Sequence, residues 1–294
     1  MKQFILRTSR MLLLIGALLT AFHFFNKALF SYSSLFKMEK ECSTLILGDS
    51  HTKYAFDDRI IRNTHNFSKD ADSYFYSFLK LREIHRRNVQ LDTLILSFSG
   101  HNLNKIIERE WLMNSGQLQK RLPLYFPLMD TDDFMFLFKH QPAKLLENLF
   151  GQFLFPLYLF TKGNSSYGGY ENLKYNILQN EIQKQDYKND DFSTISELEK
   201  KYLLKIKSYC TANDIKLMLI CSPRHKLVQS RQENLYKFYD KYLSDVLFVD
   251  FTTLPMDDNC FGDFVHLTPT GSRYFSTLVE QKGIINLARS TMKP

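Results

Sequence analysis

The chain has 294 residues, of which 44% are hydrophobic and 23% charged, so it can bury a full core and lacks the composition of a disordered protein. Its net charge of +7 would suit anionic lipid or acidic glycan, but the basic residues are spread along the chain without a dense cluster, which argues against nucleic-acid binding. Four cysteines are too few for a disulfide scaffold, and none lies in a CxxC motif for zinc or redox chemistry.

Residues 1–37 predict a membrane anchor and linker. Three basic residues lie within Met1–Arg10, and the uncharged run Met11–Phe25 follows. Continued to Phe30, the run reaches the roughly 20 residues that a spanning helix needs. A cleaved signal peptide is the alternative, but no A-x-A-like site follows, so we favour an uncleaved signal anchor. Basic residues flank both ends, and the usual behaviour of a first helix then places the remainder outside the cytoplasm, on the periplasmic side.

Residues 38–294 predict an α/β domain in which buried strands alternate with helices. Short apolar runs indicate strands at 43–47, 91–98, 216–221 and 246–250. Helical spacing or a helix-start signal indicates helices at 72–88, 194–212 and 230–244, and one beginning near Thr268-Pro269. This alternation favours a three-layer sandwich with a parallel, flavodoxin-like sheet and right-handed crossovers.

An insertion at about 103–190 interrupts this pattern. It contains an aromatic stretch at 136–160 and a loop rich in glycine and serine. It predicts a mainly helical subdomain, and three roles stay open: packing against the sheet, a lid over a site, or a surface that sits on the bilayer.

Three short motifs carry the candidate chemistry. Gly48-Asp49-Ser50 follows the first strand, at the sheet edge where open α/β folds bind ligands. Asn102 follows the second strand, and its amide can donate to an oxyanion. Asp263 and His266, three residues apart before the last helix, can supply the carboxylate and the base that a nucleophilic serine needs. Taken singly, each motif is also ordinary turn or helix-start composition.

In order and spacing these motifs resemble the SGNH/GDSL hydrolase superfamily. The resemblance implies Ser50 as the nucleophile, His266 as the base and Asp263 as the residue that orients it. It also implies that the Asn102 side chain and the Ser50 backbone N–H stabilise the oxyanion. It covers about 43–102 and 216–282, roughly half of the chain, and implies no cofactor.

The second family motif departs from the pattern, since Ala71 stands where the oxyanion glycine would be. A backbone N–H is all that is required there, so we expect Ala71 to serve if its φ is negative. Leu103 replaces the family's aspartate after the asparagine, which puts the shape of the substrate pocket in doubt.

The remaining histidines and cysteines have simpler interpretations. His51 and His101 are expected to be structural loop histidines, and a zinc site on them with His266 lacks any helical H-x-x-x-H pair. We expect Cys42, Cys210, Cys221 and Cys260 to be small buried hydrophobes, although one pair could be oxidised outside the cytoplasm.

The leading functional hypothesis is a serine-dependent ester hydrolase or O-acyltransferase acting on an acylated cell-surface glycan or lipid-linked substrate. The anchor resembles that of membrane-tethered family members that modify surface polymers, which implies a polytopic membrane acyltransferase as a partner. The alternative is a non-catalytic tethered scaffold or glycan-binding partner of such an acyltransferase.

Overall fold

Five parallel strands form one sheet in this computed structural model, which describes residues 1–184, 194–228 and 232–291. The strands are β1 (Thr44–Leu47), β2 (Thr64–Asn66), β3 (Thr93–Ser97), β4 (Lys216–Cys221) and β5 (Leu247–Asp250), in the order β2-β1-β3-β4-β5. The four predicted strands are present within about two residues of their expected ends. The sequence analysis missed β2, because its three residues, Thr, His and Asn, have no apolar run or alternation.

The helices, in chain order, are α1 (Lys2–Tyr32), α2 (Ser50–Ala55), α3 (Tyr74–Arg87), α4 (Gly100–Leu103), α5 (Lys105–Ile107), α6 (Ser115–Tyr125), α7 (Thr131–His140), α8 (Pro142–Asn148), α9 (Phe155–Lys162), α10 (Leu178–Lys184), α11 (Glu197–Ala212), α12 (Glu233–Tyr242), α13 (Pro269–Lys282) and α14 (Ile284–Thr291). Short 3-10 segments lie at Phe126–Leu128, Leu149–Leu154, Gly163–Ser166 and Asp258–Cys260, and a π-helical turn at Glu108–Leu112.

The chain divides into two compact units. The helical unit comprises Met1–Phe36 and Leu112–Ser166, and the α/β unit comprises Lys37–Trp111 and Tyr167–Pro294. The predicted division differs, because it assigned the whole insertion to the α/β domain. In the structure the central part of the insertion folds with α1, while the part from Tyr167 onward belongs to the α/β unit. Local sequence patterns do not specify such a tertiary pairing.

Helices cover both faces of the sheet. Ile46, Ile95 and Val249 lie in one core cluster with Phe275 and Val279 of α13, and α13 packs against α2. The alternate strand residues point to the opposite face, where α3 and α11 pack together. Right-handed crossovers explain why helices cover both faces. The connection from β1 to β2 through α2 moves toward one end of the sheet, whereas the connections through α3, α11 and α12 move toward the other end. Helices of opposite direction lie on opposite faces.

In the helical unit, α1 is a single helix of 31 residues, long and apolar enough to cross a membrane, with 6% of its most apolar window buried. That low burial separates α1 from the core helix of a soluble domain. Near its C-terminal end, the Asn26 side chain donates to the Gln152 carbonyl (2.7 Å), and the Phe22 and Phe153 rings lie 4.3 Å apart.

Candidate active site

The site begins at the turn between β1 and α2. A Cβ on Gly48 would lie 2.3 Å from the Ser97 Cβ and 2.5 Å from the Thr52 Oγ1, so only glycine fits this close approach. Asp49 is the N-cap of α2, where its side chain accepts the His51 N–H, and Ser50 is the first helical residue. The turn therefore places Ser50 at the carboxyl edge of the parallel sheet.

Ser50, His266 and Asp263 form a continuous hydrogen-bonded chain. The Ser50 Oγ lies 2.8 Å from the His266 Nε2, and the His266 Nδ1 lies 2.7 Å from the Asp263 Oδ2. The second carboxylate oxygen, Oδ1, accepts the backbone N–H groups of Val265 and His266, both at 2.8 Å. The structure thus brings Ser50 into contact with a histidine more than 200 positions away in sequence.

Electrostatics keep the Asp263 carboxylate charged. Burial acts to raise its pKa, but the hydrogen bond to His266, the charge of that histidine, and bonds from Val265 N–H and the Tyr175 hydroxyl outweigh this. The net result holds the pKa of Asp263 well below its usual range. A carboxylate that stays ionised can orient an imidazole and stabilise its protonated form.

Tyr175 is a fourth member of this cluster, and the sequence analysis did not identify it. Its hydroxyl donates to the Asp263 Oδ2 (2.8 Å) and lies 3.2 Å from the His266 Nδ1. Burial, followed by the bond to Asp263, raises the pKa of the Tyr175 phenol, so the hydroxyl keeps its proton and remains a donor. A tyrosine in an irregular segment that already has other tyrosines gave no signal from which this role could be inferred.

Residues 167–181, which we call the strap, carry Tyr175 to the site. At the start of the strap, the Gly169 N–H donates to the Ser68 carbonyl (3.0 Å), and the buried Lys80 Nζ donates to the carbonyls of Phe67 and Tyr167. A Cβ on Gly168 would lie 2.4 Å from the Ser68 oxygen, so the strap lies directly on the loop after β2.

The far end of the strap is fixed to the loop that carries the triad carboxylate. The Ile177 and Leu178 N–H groups donate to the Gly262 carbonyl, and the Glu181 Oε2 accepts the Phe264 N–H (3.0 Å). In between, the Glu171 carboxylate pairs with Lys53 of α2 (2.9 Å). Hydrogen bonds to Lys174 and Lys53 lower the pKa of Glu171 to about 2. The strap therefore contacts both the helix that begins with Ser50 and the loop that carries Asp263.

A second aspartate–histidine pair lies beside the triad. The Asp49 Oδ2 accepts the His51 Nδ1 (3.0 Å), and the His51 ring stacks on the His266 ring at a centroid separation of 5.1 Å. Burial acts to raise the pKa of Asp49, but His51, by charge and by hydrogen bonds, and His101, by charge, outweigh it and hold the pKa well below the usual range. His51 is thus a buried partner of Asp49, as its expected structural role implies.

Asn102 lies in this second cluster. Its Nδ2 donates to the Asp49 Oδ2 (2.9 Å), and its Oδ1 accepts the Ser99 hydroxyl (2.8 Å). The side chain is therefore held rigidly at the carboxyl end of β3. Because an amide nitrogen carries two hydrogens, the bond to Asp49 uses one and leaves the second for another acceptor.

Ala71 does not meet the condition set by the sequence analysis. Its φ is +53°, in the left-handed region, where we expected a negative value. Alanine costs about 1–2 kcal/mol in this conformation, which suits glycine better. The loop before it is well fixed, since the Lys69 N–H donates to the Gly48 carbonyl (3.0 Å). The conformation that a glycine favours is present without the glycine.

The remaining sequence expectations concern metals and thiols. The described residues contain no group of three or more histidine, cysteine or acidic side chains placed to hold a metal ion. All four cysteines are buried and carry free thiols. The structure therefore contains no disulfide among them.

The chain has a partial match to a protein family and a remote similarity to a solved structure. A family model for a domain of unknown function matches residues 168–287, less than half of the chain. The match includes all of the strap after its first residue, together with Asp263 and His266, but leaves out Ser50. No curated protein is significantly similar to the chain. A solved structure from Streptococcus pneumonia, described as a candidate platelet activating factor, is 11% identical over 93% of this chain and 98% of its own, with a TM-score of 0.38. That similarity is too low to carry an argument.

Proposed function

We propose that this chain is an SGNH/GDSL-type serine esterase or O-acyltransferase, tethered to a membrane by α1 with its α/β unit on the periplasmic side. The observation that carries the proposal is the chain of two short contacts from the Ser50 Oγ to the His266 Nε2 (2.8 Å) and from the His266 Nδ1 to Asp263 (2.7 Å). A serine in contact with a base, which is itself oriented by a charged carboxylate, is the arrangement that acyl transfer requires.

The first half of the reaction forms an acyl-serine. The Ser50 Oγ attacks the carbonyl carbon of an ester while its proton passes to the His266 Nε2, and Asp263 stabilises the imidazolium. When the tetrahedral intermediate collapses, the alcohol leaves with that proton. The backbone N–H of Ser50, which begins α2, and the second amide hydrogen of Asn102 are the proposed oxyanion donors, and each such donor typically contributes about 3 kcal/mol.

The second half releases the acyl group to an acceptor hydroxyl. Water or a sugar hydroxyl gives its proton to the His266 Nε2 and attacks the acyl-serine carbonyl, and the proton then returns to the Ser50 Oγ. Water makes the protein an esterase, and a sugar makes it an acyltransferase. We propose an acylated cell-surface glycan or lipid-linked substrate because the proposed anchor would hold the site close to the envelope.

The test is acylation of Ser50 in the full-length, detergent-purified protein. Incubation with p-nitrophenyl acetate should give one acetyl adduct, located on Ser50 by mass spectrometry, and Ser50→Ala should give none. Ser208→Ala, which alters an exposed serine of α11, is the matched control and should react like the unaltered protein. No adduct on the unaltered protein, or an adduct that survives Ser50→Ala, would favour the non-catalytic scaffold.

A further inference from the structure

The helical unit exposes a row of large apolar side chains on one side of a helical segment. This segment consists of the 3-10 turns Leu149–Leu154 and the helix α9 that follows them. The row consists of Phe150, Leu154, Leu157 and Phe160, and its last member is 79% exposed. Their spacing of three and four residues puts them on one helical face, while Phe155 and Gln152 on the opposite face are buried. Single exposed apolar residues are ordinary, but a contiguous row of four is the signature of an interaction surface.

The row lies beside the C-terminal part of the helix that can span a membrane. The Phe153 ring, within the same segment, packs against the Phe22 ring of α1 in a tilted geometry, and the Phe155 and Phe30 ring centroids lie 6.4 Å apart. The bond from Asn26 to the Gln152 carbonyl fixes the segment at this level. If α1 crosses the bilayer from about Met11 to Phe30, these contacts place the row at the depth where the helix leaves the bilayer.

A groove of about 550 Å³ in the helical unit is a second feature that fits contact with lipid. Apolar side chains, among them Leu19, Phe24, Phe134 and Leu149, make up much of its lining, and polar and charged residues, including Lys27 and Asp130, complete it. A groove with apolar walls and a few polar side chains, beside a helix long enough to span a membrane, can take a lipid chain, and an exposed lysine suits the phosphate of its headgroup.

We propose that part of the helical unit is embedded in the bilayer. The row would then contact the acyl chains of the leaflet that surrounds the C-terminal half of α1. The occupant is lipid because the segment that carries the row packs against the helix that can span a membrane, and exposed Phe138 and Lys139 on α7 suit the boundary between acyl chains and headgroups. Of the three roles left open for the insertion, this assigns membrane seating to its central part. The inference requires insertion of α1 and is independent of the catalytic proposal.

The experiment measures the depth of single tryptophans in the full-length protein in phosphatidylcholine vesicles. Trp111 is the only tryptophan of the sequence, so Trp111→Phe provides the background. Leu157→Trp and Phe160→Trp are then compared between ordinary vesicles and vesicles brominated on the acyl chain. Leu13→Trp, on α1, is the positive control, and Val89→Trp, at a residue of the α/β unit that is 92% exposed, is the negative control.

Seating in the bilayer predicts that bromination lowers the emission of Leu157→Trp and Phe160→Trp roughly twofold, as for an indole about 5–10 Å into the headgroup and acyl boundary. Leu13→Trp should be quenched at least as strongly, and Val89→Trp should not respond. Quenching at the row no greater than at Val89→Trp would overturn the proposal and assign the row to a protein partner or a second copy. An unquenched Leu13→Trp would also overturn it, because the helix would not be inserted.

Discussion

Two aspartate–histidine pairs lie side by side in the α/β unit, and they differ in what holds each carboxylate. The Asp263 carboxylate is hydrogen-bonded to Tyr175 as well as to His266. The other ring nitrogen of His266, Nε2, lies against the Ser50 hydroxyl. Asp49 is fully buried, and besides His51 it binds the amide of Asn102. The same pair of side chains thus lies against a serine hydroxyl in one place and supports the turn before α2 in the other, and we propose that only the first pair orients a base.

The largest expected effect separates the two histidines. His266→Gln should lower the rate of Ser50 acylation by about 10⁴-fold, because the serine loses the group that takes its proton. His51→Gln should lower the rate by no more than about tenfold, since glutamine can still donate to Asp49 while the triad is unchanged. Burst kinetics with p-nitrophenyl acetate measure both. Equal losses in the two variants, with both folded by circular dichroism, would erase the proposed distinction.

The second effect concerns stability and its dependence on pH. Both carboxylates have depressed pKa values in the folded state, so each contributes stability above the unfolded pKa of about 4 and loses it as the pH falls through the folded value. Asp49→Asn should destabilise the protein by about 3 kcal/mol at pH 7, because it removes a fully buried carboxylate that accepts hydrogen bonds from His51 and Asn102. Asp263→Asn, nearer to solvent, should cost less.

Urea unfolding at pH 7, 5 and 3 tests the contribution of the Asp49 carboxylate to the free energy of unfolding. The unaltered protein should lose stability in acid, and Asp49→Asn should start lower at pH 7 but decline less steeply, since one of the depressed carboxylates has been removed. Parallel declines of the unaltered protein and Asp49→Asn would contradict the buried, charged state of Asp49.

The triad could be predicted from sequence because each of its parts lies beside an element with a strong local signal and because the motifs occur in a recognisable order. Ser50 follows the apolar strand β1, and Asp263 and His266 precede a helix whose start is marked by Thr268 and Pro269. Parallel strands bring their carboxyl ends to one edge, which places the turn after β1 and the segment between β5 and α13 on the same side of the sheet.

The features that the sequence analysis missed depend on tertiary contacts without a local signal. Tyr175 reaches the site because Gly168 allows the strap to lie against the loop after β2, and no periodic pattern marks that contact. Burial of the Asn102 amide against Asp49 was equally unreadable, because an asparagine after a strand has the same sequence signal whether it faces a substrate or a carboxylate.

The smallest expected effect concerns Tyr175, the residue that distinguishes the Asp263 pair from the Asp49 pair at the carboxylate. Tyr175→Phe keeps the ring and removes the hydroxyl, while Asp263 still accepts the Val265 and His266 N–H groups. We expect kcat to fall about tenfold, the value of one charge-assisted hydrogen bond, with KM and the free energy of unfolding nearly unchanged. Tyr274→Phe, at an exposed tyrosine of α13, is the control. Because a purely structural phenol would change stability and leave kcat alone, that result would assign Tyr175 to packing and leave Asp263 oriented by its backbone bonds.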